Sequence, residues 1–200
     1  MATTLMGISH TEKTLSIPLV RESGAEEAQH VHLAWPEFED PACSAALEAL
    51  NAELRNHSDS VCQHFLQQED PATDGQLTGS YEIAFLSCAF VSLRLDYHYD
   101  FLAARDAERF ETACFNINLK TGSPLSFSNC FEAKSEPEKW VMFVESMGQD
   151  IDAEHPYPEK FLFNAEGVEF FFPKAGGEAS FSWEEVEAHF HVRGLPVTAS

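Results

Sequence analysis

Two stretches of the chain decide the fold, Phe161–Phe172 (FLFNAEGVEFFF) and Ser92–Tyr99 (SLRLDYHY). The first reads as two short apolar strands joined by a polar turn at Asn164–Gly167, which is typical of a hairpin. The second alternates apolar and polar residues, as a strand with one buried face does. Further along, Phe115–Gly122 (FNINLKTG) ends in a glycine that can take the positive φ of a turn. The chain is therefore predicted to contain a sheet built from hairpins.

Three other segments show the patterns of helices. Apolar residues recur at three- and four-residue spacing over 41–68, where Pro41 suits a first turn. Pro137 opens a second helix, and Ser182 with Glu185 forms a capping box that starts a third helix, ending at about His189. The apolar stripes of the two longer helices are Leu47, Leu50, Leu54, Val61 and Phe65, then Trp140, Phe143, Val144, Met147 and Ile151.

This mixture of hairpins and helices predicts an α+β fold, an antiparallel sheet with two to three helices packed on one face. A ragged strand is expected around Leu15–Val20, and a half-buried strand at Val31–Trp35 that Pro36 ends. We expect the second helix to pack on a single antiparallel sheet that includes the late hairpin. The sheet positions in this hypothesis are Val91, Leu93, Leu95, Ile117, Phe163, Val168 and Phe170.

The length of 200 residues suits one domain, or one domain with a subdomain. We predict an N-terminal segment at 1–27, a strand and long helix at 28–80, and a sheet-and-helix domain at 81–192, together in one compact unit.

Charge is the outlying feature of the composition. The 33 Asp and Glu residues outnumber the 12 Lys and Arg residues, which gives a formal net charge of −21 at pH 7. Such a surface repels nucleic acid and anionic membranes, because their phosphates need cationic partners. It attracts basic proteins and speeds their encounter. The plainer interpretation is that the charge serves solubility alone.

Five cysteines are spaced without any Cys-x-x-Cys motif. Cys43 and Cys62 fall on the first predicted helix, and Cys88 and Cys114 fall in predicted strands. Since free cysteines behave as small apolar residues, we expect all five to be reduced and at most one to react quickly.

The compartment is predicted from the same features. Residues 1–20 carry neither a basic start nor a continuous apolar core, and no run approaches the length of about 20 apolar residues that a spanning helix needs. With the reduced cysteines, this favours the cytoplasm for the chain as it stands. The alternative is an extracytoplasmic protein whose leader was removed.

Nine histidines raise the question of a metal site. His30 and His32 share a strand face, and His189 with His191 forms a second pair, but neither pair has an obvious third ligand. A solvated polar face is the preferred interpretation, and no metal or cofactor is predicted. His64, near Cys62, is interpreted as a surface histidine beside a core thiol.

No catalytic motif is found either. The chain lacks a Gly-x-Ser-x-Gly elbow, a phosphate loop and a dinucleotide fingerprint. The cysteine and histidine of a nucleophilic pair can be far apart in sequence, because they need only to meet in space. No cysteine here, however, is next to a glycine-rich turn or cationic cluster that would lower its pKa. No catalytic residue is therefore predicted.

The strand at 92–99 offers a candidate surface. Tyr97 and Tyr99 share one face, while Arg94, Asp96 and His98 share the other. One face should be core and the other open. On the open face, Arg94 and Asp96 either pair only with each other and with neighbouring strands, or form part of a recognition surface.

In order, these segments resemble the RsiV-like and PdaC-like domain family. The resemblance extends over about residues 28–190. The motifs that make it specific are Asn118–Gly122 (NLKTG) with Phe131, and Phe163–Val168 (FNAEGV). The resemblance implies the extracytoplasmic domain of a lysozyme-sensing anti-sigma factor or the non-catalytic region of a peptidoglycan deacetylase. Two loops differ from the corresponding loops of the family. The loop at 101–107 lacks the family's glycines and histidine, and the loop at 173–177 is shorter.

Together, the residues and the resemblance predict a non-enzymatic binding module. The expected partner is a basic protein such as a lysozyme-type muramidase, or a cell-wall-related ligand. The role of the binding would be lysozyme-type sensing, inhibition or immunity. The alternatives are a cell-wall-directed hydrolase and an intracellular protein that kept only the fold. Exposed sheet faces beside variable loops often bind, so the candidate ligand-binding residues are Arg94, Asp96, His98, Phe101, Arg105 and Lys174.

Overall fold

A computed structural model of the chain describes residues 8–18, 29–40, 45–68, 75–100, 108–148, 151–152, 154–172 and 178–195. The chain divides into two compact units. Unit 1 comprises Met1–Glu82 and Arg94–Ala113, and unit 2 comprises Ile83–Leu93 and Cys114–Ser200. The predicted α+β class is confirmed. The boundary predicted near residue 80 falls inside a strand.

The larger sheet has six strands in sequential order. They are β1 (Ser9–Pro18), β2 (Gln29–Glu39), β3 (Gln76–Leu86), β4 (Phe90–Asp100), β5 (Glu108–Asn118) and β6 (Ser123–Pro124). β1 pairs with β2 in antiparallel register, whereas β2 and β3 lie parallel over Val31–Leu33 and Leu77–Gly79. The helix α1 (Ala45–Gln68) provides the crossover that a parallel pair requires.

The remaining elements belong to unit 2. They are α2 (Phe127–Cys130), β7 (Phe131–Ala133), α3 (Pro137–Ser146), β8 (Lys160–Phe163), β9 (Gly167–Phe171), β10 (Glu178–Ser182), α4 (Trp183–His189) and β11 (Phe190–Val192). β10, β9 and β8 form an antiparallel sheet of three strands, and β11 pairs with β7. Among the described residues, no helix has both the length and the apolar character needed to cross a membrane.

In unit 1, α1 packs through its predicted apolar stripe. Leu50, Leu54 and Phe65 are buried at helical spacing. Asn51 ties the helix to β2, because its amide accepts a hydrogen bond from the Phe38 backbone N–H and donates one to the Phe38 carbonyl, both at 2.8 Å. These contacts fix α1 over one face of the unit 1 strands.

Pro36 does not end its strand as predicted. It lies within β2, opposite Glu12 of β1. Since β3 pairs with β2 only over Val31–Leu33, the later part of β2 has one free edge among the described strands. Proline is tolerated at such an edge because no ladder hydrogen bond is lost there.

The late hairpin lies outside the main sheet, so the prediction of a single antiparallel sheet is wrong. Side chains of the main sheet take the place of ladder hydrogen bonds. Ser92 Oγ accepts a hydrogen bond from the Phe163 backbone N–H at 3.0 Å, and Asn116 Nδ2 donates to the Phe161 carbonyl at 2.7 Å. Ser92 also donates to Asn116 Oδ1 at 2.7 Å. The small sheet is thus held by a buried polar link that strand pairing rules do not foresee.

An aromatic cluster forms the core of unit 2. Trp140 of α3 is buried against Phe170, Phe181 and Phe190, as the apolar stripe predicted. The placement of Met147 in the packed face is wrong. α3 ends at Ser146, and Gly148 follows with φ of 80°, so Met147 caps the helix and is 42% exposed.

The local turn predictions are confirmed. Asn118 Oδ1 accepts hydrogen bonds from the backbone N–H groups of Lys120 and Thr121, and Gly122 has φ of 71°. Ser182 and Glu185 form the predicted capping box at the start of α4. Both motifs satisfy backbone groups locally, which is why short sequence windows were enough to predict them.

The described cysteines, Cys62, Cys88, Cys114 and Cys130, form no disulfide. Cys62 and Cys130 are buried, and burial raises the pKa of both thiols, to about 11 for Cys130. Cys88 is exposed and lies between β3 and β4 rather than in a strand, because Ser87 Oγ accepts from the N–H groups of residues 89 and 90 and turns the chain. Cys43 lies outside the described residues.

We expect Cys88 to react before the other described cysteines with a thiol reagent in the native protein, because Cys88 is exposed and the reagent has access to it. Brief labelling with iodoacetamide followed by peptide mass spectrometry measures the modified fraction at each cysteine. Cys88→Ser should remove this fast label and leave the slow labelling of Cys62 and Cys130 unchanged. Faster labelling of either buried thiol, or a native disulfide, would contradict this account.

Candidate functional site

One face of the unit 1 strands is polar and uncovered by α1. Successive residues of a strand point to opposite faces, so the even-numbered residues that β3, β4 and β5 contribute to unit 1 share this surface. We call it the open face, and define it by Thr78, Ser80, Glu82, Arg94, Asp96, His98, Phe110 and Thr112.

A charged network occupies the middle of the open face. Arg94 pairs with Glu82 on β3 and with Asp96 on its own strand, each at 3.0 Å. Thr112 Oγ1 donates a hydrogen bond to the second carboxylate oxygen of Asp96 at 2.8 Å. Two carboxylates share one guanidinium, so this network carries a formal charge of −1. Both carboxylates stay accessible, with Glu82 55% and Asp96 38% exposed in their side chains.

An aromatic pair lies beside this network. The rings of His98 and Phe110 stack with centroids 4.5 Å apart and planes inclined by 8°. Phe110 is 72% exposed, an unusual position for so large an apolar ring. His98 Nε2 is buried and has no hydrogen-bond partner among the described residues.

The network and the aromatic pair border one hollow. It has a volume of about 250 Å³ and is lined by Thr78, Gly79, Ser80, Asp96, Tyr97, His98 and Phe110. Its walls combine a flat apolar ring, a carboxylate, hydroxyl groups and an imidazole. This combination can hold a flat or elongated group that stacks on one side and donates hydrogen bonds on the other.

The opposite face of the same strands is a packed core that keeps the open face in place. Tyr97 and Tyr99 are both 2% exposed. Burial raises the pKa of Tyr97 to about 12, and the tyrosine lies 3.4 Å from Ser58 Oγ of α1. Burial, followed by the charge of Glu111, raises the pKa of Tyr99, whose hydroxyl donates to Glu111 at 3.1 Å. Both phenols are therefore neutral packing groups at physiological pH.

The structure brings together Arg94, Asp96 and His98, three of the six candidate residues. The predicted Arg94–Asp96 pair is present. Phe101, Arg105 and Lys174, with the loops 101–107 and 173–177, lie outside the described residues.

Sequence reasoning missed Phe110, Thr112 and Glu82, which complete the open face. The strand predicted to carry Cys114 is β5, which begins as early as Glu108 and so includes Phe110 and Thr112. A signal was available, because Phe110 stands alone between Arg109 and Glu111, where a single large aromatic residue has no evident core role.

Among the described side chains, no group of three potential metal ligands includes His32, His189 or His191. His32 Nδ1 lies 3.1 Å from Ser16 Oγ, and the side chain of His30 is outside the described residues. His189 ends α4 while His191 lies in β11, so the two belong to different elements. His64 is exposed beside the buried Cys62, as interpreted from the sequence.

One acidic cluster was not predicted. Asp152, Glu154 and His155 place one ligand atom each within 4.8 Å of one another, with Glu154 and His155 exposed. His155 Nδ1 lies 3.3 Å from Asp152 Oδ2. An exposed group of this kind is common without a bound ion, so it supports no assignment.

Unit 2 has a second hollow, of about 380 Å³, over β9 and β10. Its lining includes Asn164, Glu166, Glu169 and Ser182. Asn164 and Ser182 serve the hairpin turn and the α4 cap, because their side chains bond backbone N–H groups there. Two of the polar residues that border this hollow, Asn164 and Ser182, thus already have structural partners.

Comparison with known proteins gives a fold likeness. No family model and no curated protein matches the chain. It is similar to a crystal structure of a DUF3298 family member from Bacteroides fragilis, at a TM-score of 0.55 and 9% identity, covering 92% of this chain and 94% of that chain. It is also similar to a DUF3298 family protein from Pseudomonas aeruginosa, at a TM-score of 0.56 and 9% identity, covering 90% and 94%. At this identity the likeness concerns the fold.

Proposed function

We propose that the chain is a binding module that recognises a basic protein, such as a lysozyme-type muramidase, in sensing, inhibition or immunity. The observation that carries the proposal is the open face. It presents an exposed aromatic ring, two accessible carboxylates and a hollow on one face of the sheet. Interfaces are typically built from such an aromatic anchor with charges at its rim.

The charge of the whole chain supports a basic partner. A net charge of −21 raises the encounter rate with cationic proteins by long-range steering. This steering acts over a Debye length of about 8 Å at physiological salt. It accelerates association, while contacts at the open face would set the lifetime of the complex.

The likeness to known proteins points to the same group. RsiV-like and PdaC-like domains are related to DUF3298, the family of both similar crystal structures. A lysozyme-type partner follows from the resemblance and belongs to the proposal.

The rival function is hydrolysis of a cell-wall polymer, which would need a histidine and a carboxylate acting together. Asp96 and His98 border the same hollow. Asp96, however, is held by Arg94 and Thr112, and His98 Nε2 has no partner among the described residues. A general base is normally oriented by the group beside it, so this arrangement favours binding over catalysis.

The proposal predicts salt-sensitive binding to a basic cell-wall hydrolase. In surface-binding measurements against a panel of lysozyme-type muramidases, at least one should bind, and its association rate should fall several-fold from low to high ionic strength. An acidic protein of similar size serves as the control and should not bind. Absence of binding to every member at low salt would overturn the proposal, as would a hydrolytic turnover that is lost on replacing one histidine or cysteine.

A further inference from the structure

We propose that the hollow of the open face receives an arginine side chain of the basic partner. This inference rests on the proposed function and deepens it, because it names the group that is recognised. The occupant must have a flat face to stack on Phe110 and several donors for the acceptors around it. Of the two side chains that are cationic at neutral pH, arginine and lysine, only arginine has both.

The aromatic wall provides the stacking surface. Phe110 has one ring face against His98, and it remains 72% exposed. Among the residues that define the open face, this ring is the one large apolar surface. A guanidinium plane stacks on such a ring with a favourable cation–π contribution.

The polar wall provides acceptors rather than donors. Each oxygen of Asp96 has one described partner, Arg94 for one and Thr112 for the other, and a carboxylate oxygen can accept about two hydrogen bonds. Ser80 and Thr78 add hydroxyl oxygens.

Charge selects a cation over a neutral guest. The network of Glu82, Arg94 and Asp96 is formally −1, in a chain of net charge −21. A neutral sugar could also stack on Phe110 and donate hydroxyl hydrogen bonds to Asp96, but it carries no positive charge for the network to attract. A lysine would gain from the charge but has no plane to stack.

The test compares two peptides of equal charge, hexa-arginine and hexa-lysine, bound to the full chain in calorimetry at one ionic strength. We expect hexa-arginine to bind about three-fold more tightly, the size of an exposed cation–π contact. In Phe110→Ala the two affinities should become equal through weakening of the arginine peptide alone. Phe110→Leu keeps an apolar side chain without a ring and should behave as Phe110→Ala does. Met142→Ala, an exposed apolar change elsewhere, should keep the arginine preference.

Equal affinities for the two peptides in the unchanged chain would overturn this inference, as would an arginine preference that survives in Phe110→Ala. An uncharged chitin oligosaccharide could bind more tightly than hexa-arginine and lose this binding in Phe110→Ala. That result would also overturn the inference, in favour of a sugar site. These results are separate from the panel of muramidases. A muramidase that binds equally well to Phe110→Ala would leave the proposed function standing and remove the arginine site.

Discussion

Replacing Phe170 by alanine is expected to lower the free energy of unfolding by about 4 kcal/mol, the usual cost of truncating a fully buried phenylalanine. Phe170 is 0% exposed, and its ring lies 5.4 Å from Phe131, 5.5 Å from Phe181 and 6.0 Å from Trp140, between centroids. These partners come from β7, β10 and α3, so one truncation leaves a cavity where three elements meet. A loss of this size is a large part of the total stability of about 5–15 kcal/mol that single domains have.

Phe110→Ala is the matched control for Phe170→Ala, because the same ring is removed from an exposed position. Its effect on stability should stay within about 0.5 kcal/mol, as surface substitutions do. Urea denaturation followed by circular dichroism measures both. Equal losses in the two variants would contradict the described core of unit 2.

The second large effect concerns the buried link between Ser92, Asn116 and the small sheet. Asn116→Leu removes the acceptor of the Ser92 hydroxyl and the donor to the Phe161 carbonyl. Both groups are buried, so the variant should lose about 3 kcal/mol, since each unsatisfied buried group costs about 1–3 kcal/mol. Ser92→Ala should cost a similar amount, because it also leaves two buried groups without a partner, the Phe163 N–H and the Asn116 oxygen.

The double variant tests whether the link acts as a unit. Since Ser92 and Asn116 bond each other, the loss in Ser92→Ala with Asn116→Leu should be at least about 1 kcal/mol smaller than the sum of the single losses. Urea denaturation of the four proteins gives this coupling. Additive losses would show that the two residues stabilise the fold independently, against the geometry described.

Local features were predictable from the sequence because they are decided within a few residues. The residues of β4 alternate between a buried and an open face. The turn at Asn118–Gly122 and the capping box at Ser182 satisfy backbone groups within a few residues. The separation of the late hairpin into its own sheet was not predictable. It depends on two polar side chains, Ser92 and Asn116, that lie far from Phe161 and Phe163 in the chain.

The candidate site was predictable on one strand only. Alternation alone places Arg94, Asp96 and His98 on one face of β4. The residues that complete that face come from neighbouring strands, and their positions depend on the register between strands, which a single sequence does not reveal. The positions of Phe110 and Glu82 on this face therefore follow from the structure and not from the sequence pattern.

The measurement that tests the central claim most directly compares two charge reversals in unit 1. Glu82 lies on the open face, whereas Glu53 is exposed on α1, which packs against the opposite face of the same strands. Glu82→Lys and Glu53→Lys change the net charge equally, so general steering by charge predicts the same fall in association rate for both. The affinity for a lysozyme-type muramidase would be measured by surface binding at physiological salt, with unfolding curves to confirm that both variants fold. If the open face is the recognition surface, Glu82→Lys should weaken binding several-fold more than Glu53→Lys, and equal weakening in the two variants would contradict the account.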